Sequence, residues 1–188
     1  MRSTIFGAAG VAAVMAAFAP MGPARAFELT SPDFDAGGPI PATFAYDGFG
    51  CTGGNVSPPL AWRDVPDGTA SFALMVHDPD APTGGAGFWH WIVLDIPGDA
   101  RELPQGAGST DPDAMPEGVR QVANDYGVAG WGGPCPPAAD DPHRYDFTLY
   151  ALPMARLEVP EGASKAVTGF VVNANAIDTA TLQGTYDR

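Results

Sequence analysis

Residues Val76 to Trp91 read V-H-D-P-D-A-P-T-G-G-A-G-F-W-H-W, and this stretch decides the fold that we predict. An apolar, strand-like run, Ser71–Val76, leads into it, and a second run, Trp91–Ile96, leaves it. Two apolar strands that flank a polar segment rich in proline and glycine are typical of a rigid loop presented at the edge of a sheet. Because both runs have few polar interruptions, we expect both strands to lie in the core of that sheet.

The rest of the chain has a mostly-β pattern. Arg144–Leu152 alternates apolar and polar residues and predicts a half-buried strand. One helix is predicted, from a Ser164 cap to about Ala176, and the closing segment Thr179–Tyr186 is expected to be part helical turn and part strand. Short strands with turn signals throughout indicate a sandwich of β-sheets.

The first residues have the composition of an export signal. Met1-Arg2 precedes an apolar, alanine-rich run from Ile5 to Ala19, and Ala24-Arg25-Ala26 follows. This order predicts a secretory signal peptide over residues 1–26 that is cleaved after its last alanine. The alternative is a membrane anchor, which the short run and its Gly and Pro interruptions disfavour. We therefore expect residues 27–188 to form a single domain that is periplasmic or secreted.

The chain is strongly acidic, with a formal net charge of −13. Cleavage would remove Arg2 and Arg25 from its nine basic residues and none of its 22 acidic ones, so the charge would become −15. Such a chain is repelled by nucleic acid and by anionic lipid surfaces. We expect neither nucleic-acid binding nor stable membrane insertion, and any bound anion must be held by local groups.

The two cysteines, Cys51 and Cys135, each lie in a segment rich in glycine and proline. In an oxidising compartment they are each other's sole intramolecular partner, which favours a disulfide. The alternative is a pair of buried free thiols.

Several polar side chains beside the proline-rich segments are candidates for one binding site: Asp78, Asp80, His90, His143 and Tyr145. Residues two apart in extended backbone face the same side, so Asp78 and Asp80 can act as a pair, although one of them could instead cap a turn. His90 and His143 stand at strand entrances and could converge at one rim of the sandwich. The alternative for His90 is a core histidine bonded to a backbone carbonyl. His77 alternates away from Asp78 and is expected to face the opposite side.

Four motifs, in this order, resemble the phosphatidylethanolamine-binding protein family. They are Asp78-Pro79-Asp80-Ala81-Pro82, Trp89-His90-Trp91, Gly133-Pro134-Cys135-Pro136-Pro137 and His143-Arg144-Tyr145. The segment Cys51–Trp62 is similar to the bacterial Raf-kinase-inhibitor-like branch of that family through Asn55, Ser57, Pro58 and Pro59. The likeness extends over most of residues 27–188, and four ordered motifs are far more specific than any one of them.

The resemblance implies a large antiparallel sheet packed on a smaller one, with peripheral short helices. It also implies a small pocket for phosphate or a phosphorylated, phosphoethanolamine-like head group, and neither a cofactor nor a metal is expected. The implied lining residues are Asp78, Asp80, His90, His143 and Tyr145, with Gly133 and Pro134 in the wall. This sequence departs from the family pattern at Ala138–Pro142, which lacks an expected glycine and carries extra acid near the mouth.

Three classes of function are compatible with these residues. The first is a binding module that holds a small anionic ligand or regulates a partner protein, and the second is a protease or kinase inhibitor that acts through its surface. The third is a hydrolase, which the lack of His-Glu-x-x-His and Gly-x-Ser-x-Gly motifs disfavours. We predict a non-enzymatic binding protein in which imidazolium from His90 or His143 faces the anion. Whether the aspartates orient the histidines or accept a ligand ammonium stays open.

Overall fold

A computed structural model describes residues 25–188 of the chain, so the predicted signal peptide lies almost entirely outside the described residues. Within them, the elements follow in this order: β1 (Glu28–Thr30), β2 (Asp47–Gly48), β3 (Cys51–Thr52), β4 (Leu60–Arg63), β5 (Ser71–Asp78), β6 (Phe88–Pro97), β7 (Glu102–Leu103), β8 (Arg120–Val122), β9 (His143–Leu152), α1 (Lys165–Asn175) and β10 (Asp178–Tyr186). Two short 3-10 helices, Ala42–Phe44 and Pro112–Ala114, complete the set.

The strands of the described residues form a sandwich of two antiparallel sheets. The larger sheet has five strands in the order β10-β9-β5-β6-β8, and the smaller has three in the order β1-β4-β7. A separate two-stranded hairpin joins β2 to β3. This architecture confirms the predicted mostly-β sandwich of a large and a small antiparallel sheet with short peripheral helices.

The strand β5 lies at the centre of the large sheet and is buried on both of its faces. Phe72, Leu74 and Val76 belong to the core between the two sheets, whereas Ala73 and Met75 pack on the other face, against α1. All of these side chains are at most 1% exposed. Burial on both faces explains why the sequence of this strand is continuously apolar instead of alternating.

The predicted helix is confirmed, and the expectation for the closing segment is wrong in part. Ser164 caps α1 by accepting a hydrogen bond from Val167 N at 3.2 Å. The segment Thr179–Tyr186 contains no helical turn because it pairs with β9 along its whole length, from Asp178 opposite Ala151 to Tyr186 opposite His143. Cross-strand pairing therefore decides the structure of this segment. No helix within residues 25–188 has the length and apolar character needed to cross a membrane.

The sheet order brings the polar segments that the sequence analysis singled out to one end of the large sheet. Asp78 ends β5 and lies opposite Phe88, the first residue of β6. On the other side of β5, His77 lies opposite Asp146, near the start of β9. The C-terminal end of β5 and the N-terminal ends of its neighbours β6 and β9 therefore lie at the same end of the large sheet.

The predicted disulfide is present. Cys51 and Cys135 are bonded, their Cα atoms lie 5.9 Å apart, and 84 positions separate them in the sequence. The bridge fixes the β2–β3 hairpin to the Gly-Gly-Pro-Cys-Pro-Pro segment, which runs from Gly132 to Pro137. Arg188 reinforces the same junction by donating to the carbonyl oxygens of Pro136 (2.5 Å) and Phe49 (3.3 Å).

We expect the Cys51→Ser/Cys135→Ser double variant to be less stable than the oxidised protein by up to roughly 4–5 kcal/mol, because the bridge closes a long loop in the unfolded chain. Urea unfolding without reductant measures the difference. As a control, added reductant should destabilise the unsubstituted protein and leave the double variant unchanged. Equal stability of the two oxidised proteins would contradict the expectation.

Candidate ligand-binding site

A cavity of about 410 Å³ opens at the shared edge of β5, β6 and β9. Four of the residues singled out in the sequence line it, namely Asp78, His90, His143 and Tyr145. They come from three neighbouring strands, so their convergence follows from the sheet order. The other lining residues are Phe49, Ala81, Pro82, Thr83, Phe88, Asp125, Tyr126, Cys135, Pro136 and Pro137. His77 faces away, as expected, and its ring contacts Trp89 with centroids 4.2 Å apart.

Asp80 lies beside the cavity and does not line it. Its carboxylate accepts three hydrogen bonds from Arg144: from the backbone N–H at 2.9 Å, from Nε at 2.8 Å and from Nη2 at 2.7 Å. The guanidinium lowers the pKa of Asp80 to about 2, against the smaller opposing effect of burial. Asp80 therefore fixes the loop after β5 to the start of β9.

Gly133 and Pro134 stand behind the lining residues, where they support the wall. The carbonyl of Gly133 accepts from the Tyr126 hydroxyl at 3.1 Å, and its N–H donates to Asn55 Oδ1 at 2.9 Å. A Cβ atom on Gly133 would lie 2.1 Å from the carbonyl oxygen of Phe44, so this position requires glycine. The carbonyl of Pro134 accepts from Tyr46 N at 3.0 Å.

The buried carboxylate of Asp78 both caps a turn and orients a histidine, two of the roles that the sequence left open for the aspartates. Its Oδ1 caps the turn after β5 by accepting from the N–H groups of Asp80 (2.8 Å) and Ala81 (3.0 Å). Its Oδ2 lies 2.8 Å from Nδ1 of His143. Because a carboxylate oxygen accepts, Nδ1 carries the proton and Asp78 orients this histidine.

His143 is held between two carboxylates. Its Nδ1 faces Asp78, and its Nε2 lies 3.3 Å from Oδ2 of Asp140, one of the extra acids near the mouth. Burial lowers the pKa of His143, but the hydrogen bonds and charges of Asp78 and Asp140 outweigh burial and raise it above the ordinary value. The charged form is therefore favoured, yet both of its N–H donors point at protein carboxylates.

His90 has the opposite protonation behaviour. Its Nδ1 lies 2.6 Å from the carbonyl oxygen of Gly132, so Nδ1 carries the proton and Nε2 bears a lone pair. Burial lowers the pKa of His90 to about 4, although the Gly132 carbonyl partly opposes this effect. His90 is thus neutral near pH 7, and the expectation of imidazolium at this residue is corrected: before any ligand binds, Nε2 is an acceptor.

Two buried polar atoms of the lining residues have no hydrogen-bond partner within residues 25–188: Nε2 of His90 and the hydroxyl of Tyr145. Their rings lie close together, with centroids 5.1 Å apart. Burial is the largest cause that raises the pKa of Tyr145, and the charge and the nearby carboxylate of Asp78, which does not reach hydrogen-bond geometry, add to it, so the hydroxyl keeps its proton and can donate. The wall of the cavity therefore contains one unused donor and one unused acceptor, both buried within it, which is unusual for buried groups.

The sequence reasoning did not find Phe49, Phe88, Asp125 or Tyr126. Phe88 could have been found, because it stands two positions before His90 on the same face of β6. The other three residues reach the cavity from loops and carried no motif. Among residues 25–188, no group of three or more histidine, cysteine or acidic side chains is arranged to hold a metal ion.

Comparison with known proteins identifies the class to which this fold and site belong. A family model described as phosphatidylethanolamine-binding protein matches residues 30–187. The chain belongs to that family.

Several similar relatives are bacterial proteins. UPF0098 protein YbcL of Escherichia coli is 46% identical over 164 residues, which cover 87% of this chain and 89% of that protein. The crystal structure of YbcL, described as a member of the mammalian PEBP family, matches with a TM-score of 0.82 over 86% of this chain and 98% of that one, at 45% identity. The Chlamydia trachomatis PEBP homologue CT736 is 35% identical and matches with a TM-score of 0.72 over 87% of this chain and 98% of that one. The putative lipoprotein LppC of Mycobacterium tuberculosis is 41% identical over 168 residues, which cover 89% of this chain and 76% of that protein.

We expect the two lining histidines to titrate at opposite ends of the accessible range. By nitrogen-detected NMR of the imidazoles, His143 should titrate above 6.5, whereas His90 should remain the Nδ1–H tautomer until the pH approaches its pKa of about 4. The pKa of His143 is higher in the folded protein than in the unfolded chain, so its protonation stabilises the fold. This stabilisation is complete below the pKa of the unfolded chain and is lost as the pH rises through the pKa of the folded protein.

Substitution of the carboxylates tests the cause of this difference. Asp78→Asn should lower the pKa of His143 more than Asp140→Asn does, because Asp78 is closer and its side chain is 5% exposed against 38% for Asp140. A His143 pKa that does not change in Asp78→Asn, or a His90 that titrates near 6.5, would show that we have misassigned the charges.

Proposed function

We propose that this protein is a non-enzymatic binding protein whose cavity holds a small ligand through a phosphate group. The observation that carries the proposal is the pair of unpartnered buried atoms, Nε2 of His90 and the hydroxyl of Tyr145, on the inner wall of one cavity. A phosphate can accept from the hydroxyl and share a proton with the imidazole nitrogen. Family membership supports a binding role in general terms.

The proton shared with His90 determines which form of phosphate is bound. In the free protein Nε2 has a lone pair, because the pKa of His90 is about 4. A phosphate monoester has its second pKa near 6, so its monoanion carries a P–OH group that can donate to Nε2. Transfer of that proton to His90 gives the same total charge. In either case the complex holds one more proton than its separate components hold at pH 8, and affinity decreases as pH rises.

The lining residues also support binding over catalysis. Cys135 is in the disulfide, and the Thr83 hydroxyl donates to the carbonyl of Gly87 at 3.0 Å, so neither is a free nucleophile. Both nitrogens of His143 face carboxylates, so neither is available as a general base. A hydrolase of the triad type needs a nucleophile within reach of a free histidine nitrogen.

Calorimetry with O-phosphoethanolamine and with taurine at pH 5.5 and 8 tests the proposal. Taurine has the same aminoethyl group but a sulfonate that does not titrate, so it cannot supply the proton that Nε2 accepts. We expect phosphoethanolamine to bind more tightly than taurine, and more tightly at pH 5.5 than at pH 8. The Tyr145→Phe variant should weaken phosphoethanolamine binding roughly 10- to 100-fold, since it removes a hydrogen bond to a charged group.

Tyr150→Phe is the matched control, because Tyr150 is also buried but packs on the other face of the large sheet. It should leave binding unchanged. Equal affinity for the two ligands at both pH values, together with unchanged binding in Tyr145→Phe, would refute the proposed phosphate site and point to backbone N–H groups elsewhere.

We also propose that the protein is exported. The supports are the signal-like composition of residues 1–26, the disulfide, and the similarity to a protein that is named a putative lipoprotein. Expression of the full chain in a Gram-negative host, followed by intact-mass analysis of the periplasmic fraction, tests this proposal. We expect a mature chain that begins at Phe27. A full-length chain retained in the cytoplasm would contradict it.

A further inference from the structure

The outer part of the cavity is formed largely by aromatic rings. Phe49, Phe88 and Tyr126 line it, and the rings of Phe88 and Tyr126 meet edge to face with centroids 4.8 Å apart. Phe49 lies 6.0 Å from Tyr126 and 5.9 Å from Tyr46, and Tyr46 stacks on Tyr126 at 4.0 Å, with the two planes 6° apart. Phe49 is 78% exposed, and it occupies the tip of the β2–β3 hairpin that the disulfide fixes in place.

The charged residues that line the cavity are mostly acidic. They include Asp78 and Asp125, and within the part of the chain that the structure describes they include no lysine or arginine. Both ring nitrogens of His143 face the carboxylates of Asp78 and Asp140, so its charged form is directed at them and not at the mouth. A cation near the rings would therefore enter a negative field as well as contact the electron-rich ring faces.

The carboxylate oxygens in the lining already accept hydrogen bonds. Both oxygens of Asp78 are used by the turn after β5 and by His143. Asp125 Oδ2 accepts from Trp89 N at 2.7 Å, and its Oδ1 lies 3.0 Å from Nζ of Lys165. Three of these four oxygens keep a second lone pair, but Asp78 is 3% exposed and Asp125 is half-buried, so a primary ammonium would find few acceptors within reach. A quaternary ammonium has no N–H to satisfy, and it needs only the rings and the field.

We propose that the aromatic mouth, formed by Phe49, Phe88 and Tyr126, is a cation subsite that prefers a quaternary ammonium over a primary one, so that the favoured ligand is a phosphocholine-like zwitterion. This inference rests on the proposed phosphate site, which would hold the other end of the same ligand. The rings lie at the open side of the cavity, whereas the Tyr145 hydroxyl and His90 Nε2 are buried.

The test compares ligands that share a phosphate and differ at nitrogen. We measure calorimetric affinities at pH 6 for inorganic phosphate, O-phosphoethanolamine, its mono- and dimethylated forms, and phosphocholine. Affinity should increase with each methyl group, and phosphocholine should bind roughly 3- to 30-fold more tightly than phosphoethanolamine, which is the range of cation–π contributions from exposed to desolvated sites. The uncharged analogue with a tert-butyl group in place of trimethylammonium should bind more weakly than phosphocholine.

The variant Phe49→Leu assigns the preference to the mouth. Leucine keeps an apolar side chain on the same backbone, which already has a positive φ of 50°, but it removes the ring. The ratio of phosphocholine to phosphoethanolamine affinity should fall towards one, while affinity for inorganic phosphate stays constant. Phe170→Leu is the matched control, because Phe170 is 73% exposed on α1 and does not line the cavity. It should change nothing.

The possible results separate this inference from the function on which it rests. If phosphate and phosphoethanolamine bind but methylation gives no gain, the cation subsite is refuted and the phosphate site stands. The cation subsite is also refuted if the tert-butyl analogue binds as tightly as phosphocholine, since apolar contact alone then explains the affinity. If none of the phosphorylated probes binds, both proposals are wrong.

Discussion

The carboxylate of Asp78 is the contact on which the cavity depends. It closes the turn at the end of β5 with one oxygen and holds His143, the first residue of β9, with the other. It is 3% exposed, so its charge is compensated by these partners and not by bulk water. Removal of one partner from a buried charged pair costs roughly 3–5 kcal/mol, because the remaining charge stays buried. The edge of the large sheet and the position of its histidine are therefore fixed together.

The same edge places two histidines in opposite electrostatic environments. His143 lies between carboxylates, which raise its pKa and favour its charged form, and both of its ring nitrogens already face those carboxylates. His90 faces a neutral carbonyl, that of Gly132, and its lowered pKa makes it an uncharged acceptor in the free protein. One histidine thus balances the charge of Asp78, and the other remains available to a ligand. Sequence position alone does not distinguish them, since both stand near the start of a strand and beside a proline-rich loop.

The sequence predicted those parts of the site that depend on interactions within one segment of the chain, and it missed those that depend on contacts between distant segments. Motifs within one segment, such as the loop after β5, predicted that Asp78 lies at a sheet edge, because strand, turn and strand are consecutive in the chain. The alternative of a core histidine bonded to a backbone carbonyl describes His90 correctly, but no local motif identifies that carbonyl, which lies 42 residues away, or the burial that lowers the pKa. Phe49 and Tyr126 were missed for a similar reason: their approach depends on the disulfide and on ring stacking between loops. The closing strand was assigned in part to a helical turn because its pairing with β9 is not a local property.

The balance of charge in the cavity argues that a free anion is not its best ligand. Two unit charges 4 Å apart interact by about 4 kcal/mol at an effective dielectric constant of 20. The Tyr145 hydroxyl could donate one hydrogen bond to the charged phosphate, and such a bond contributes roughly 1.5–3 kcal/mol. The repulsion between two charges at that distance is larger. Lys165 pairs with Asp125 and His143 with Asp78, so these carboxylates repel a phosphate less than isolated charges would, but no lysine or arginine among the described residues lines the cavity to attract it. An ammonium on the same ligand reverses the sign of this interaction, because the acids and the aromatic mouth then attract the other end of the molecule. For the proposed zwitterionic ligand, the carboxylates would therefore contribute to affinity instead of opposing it.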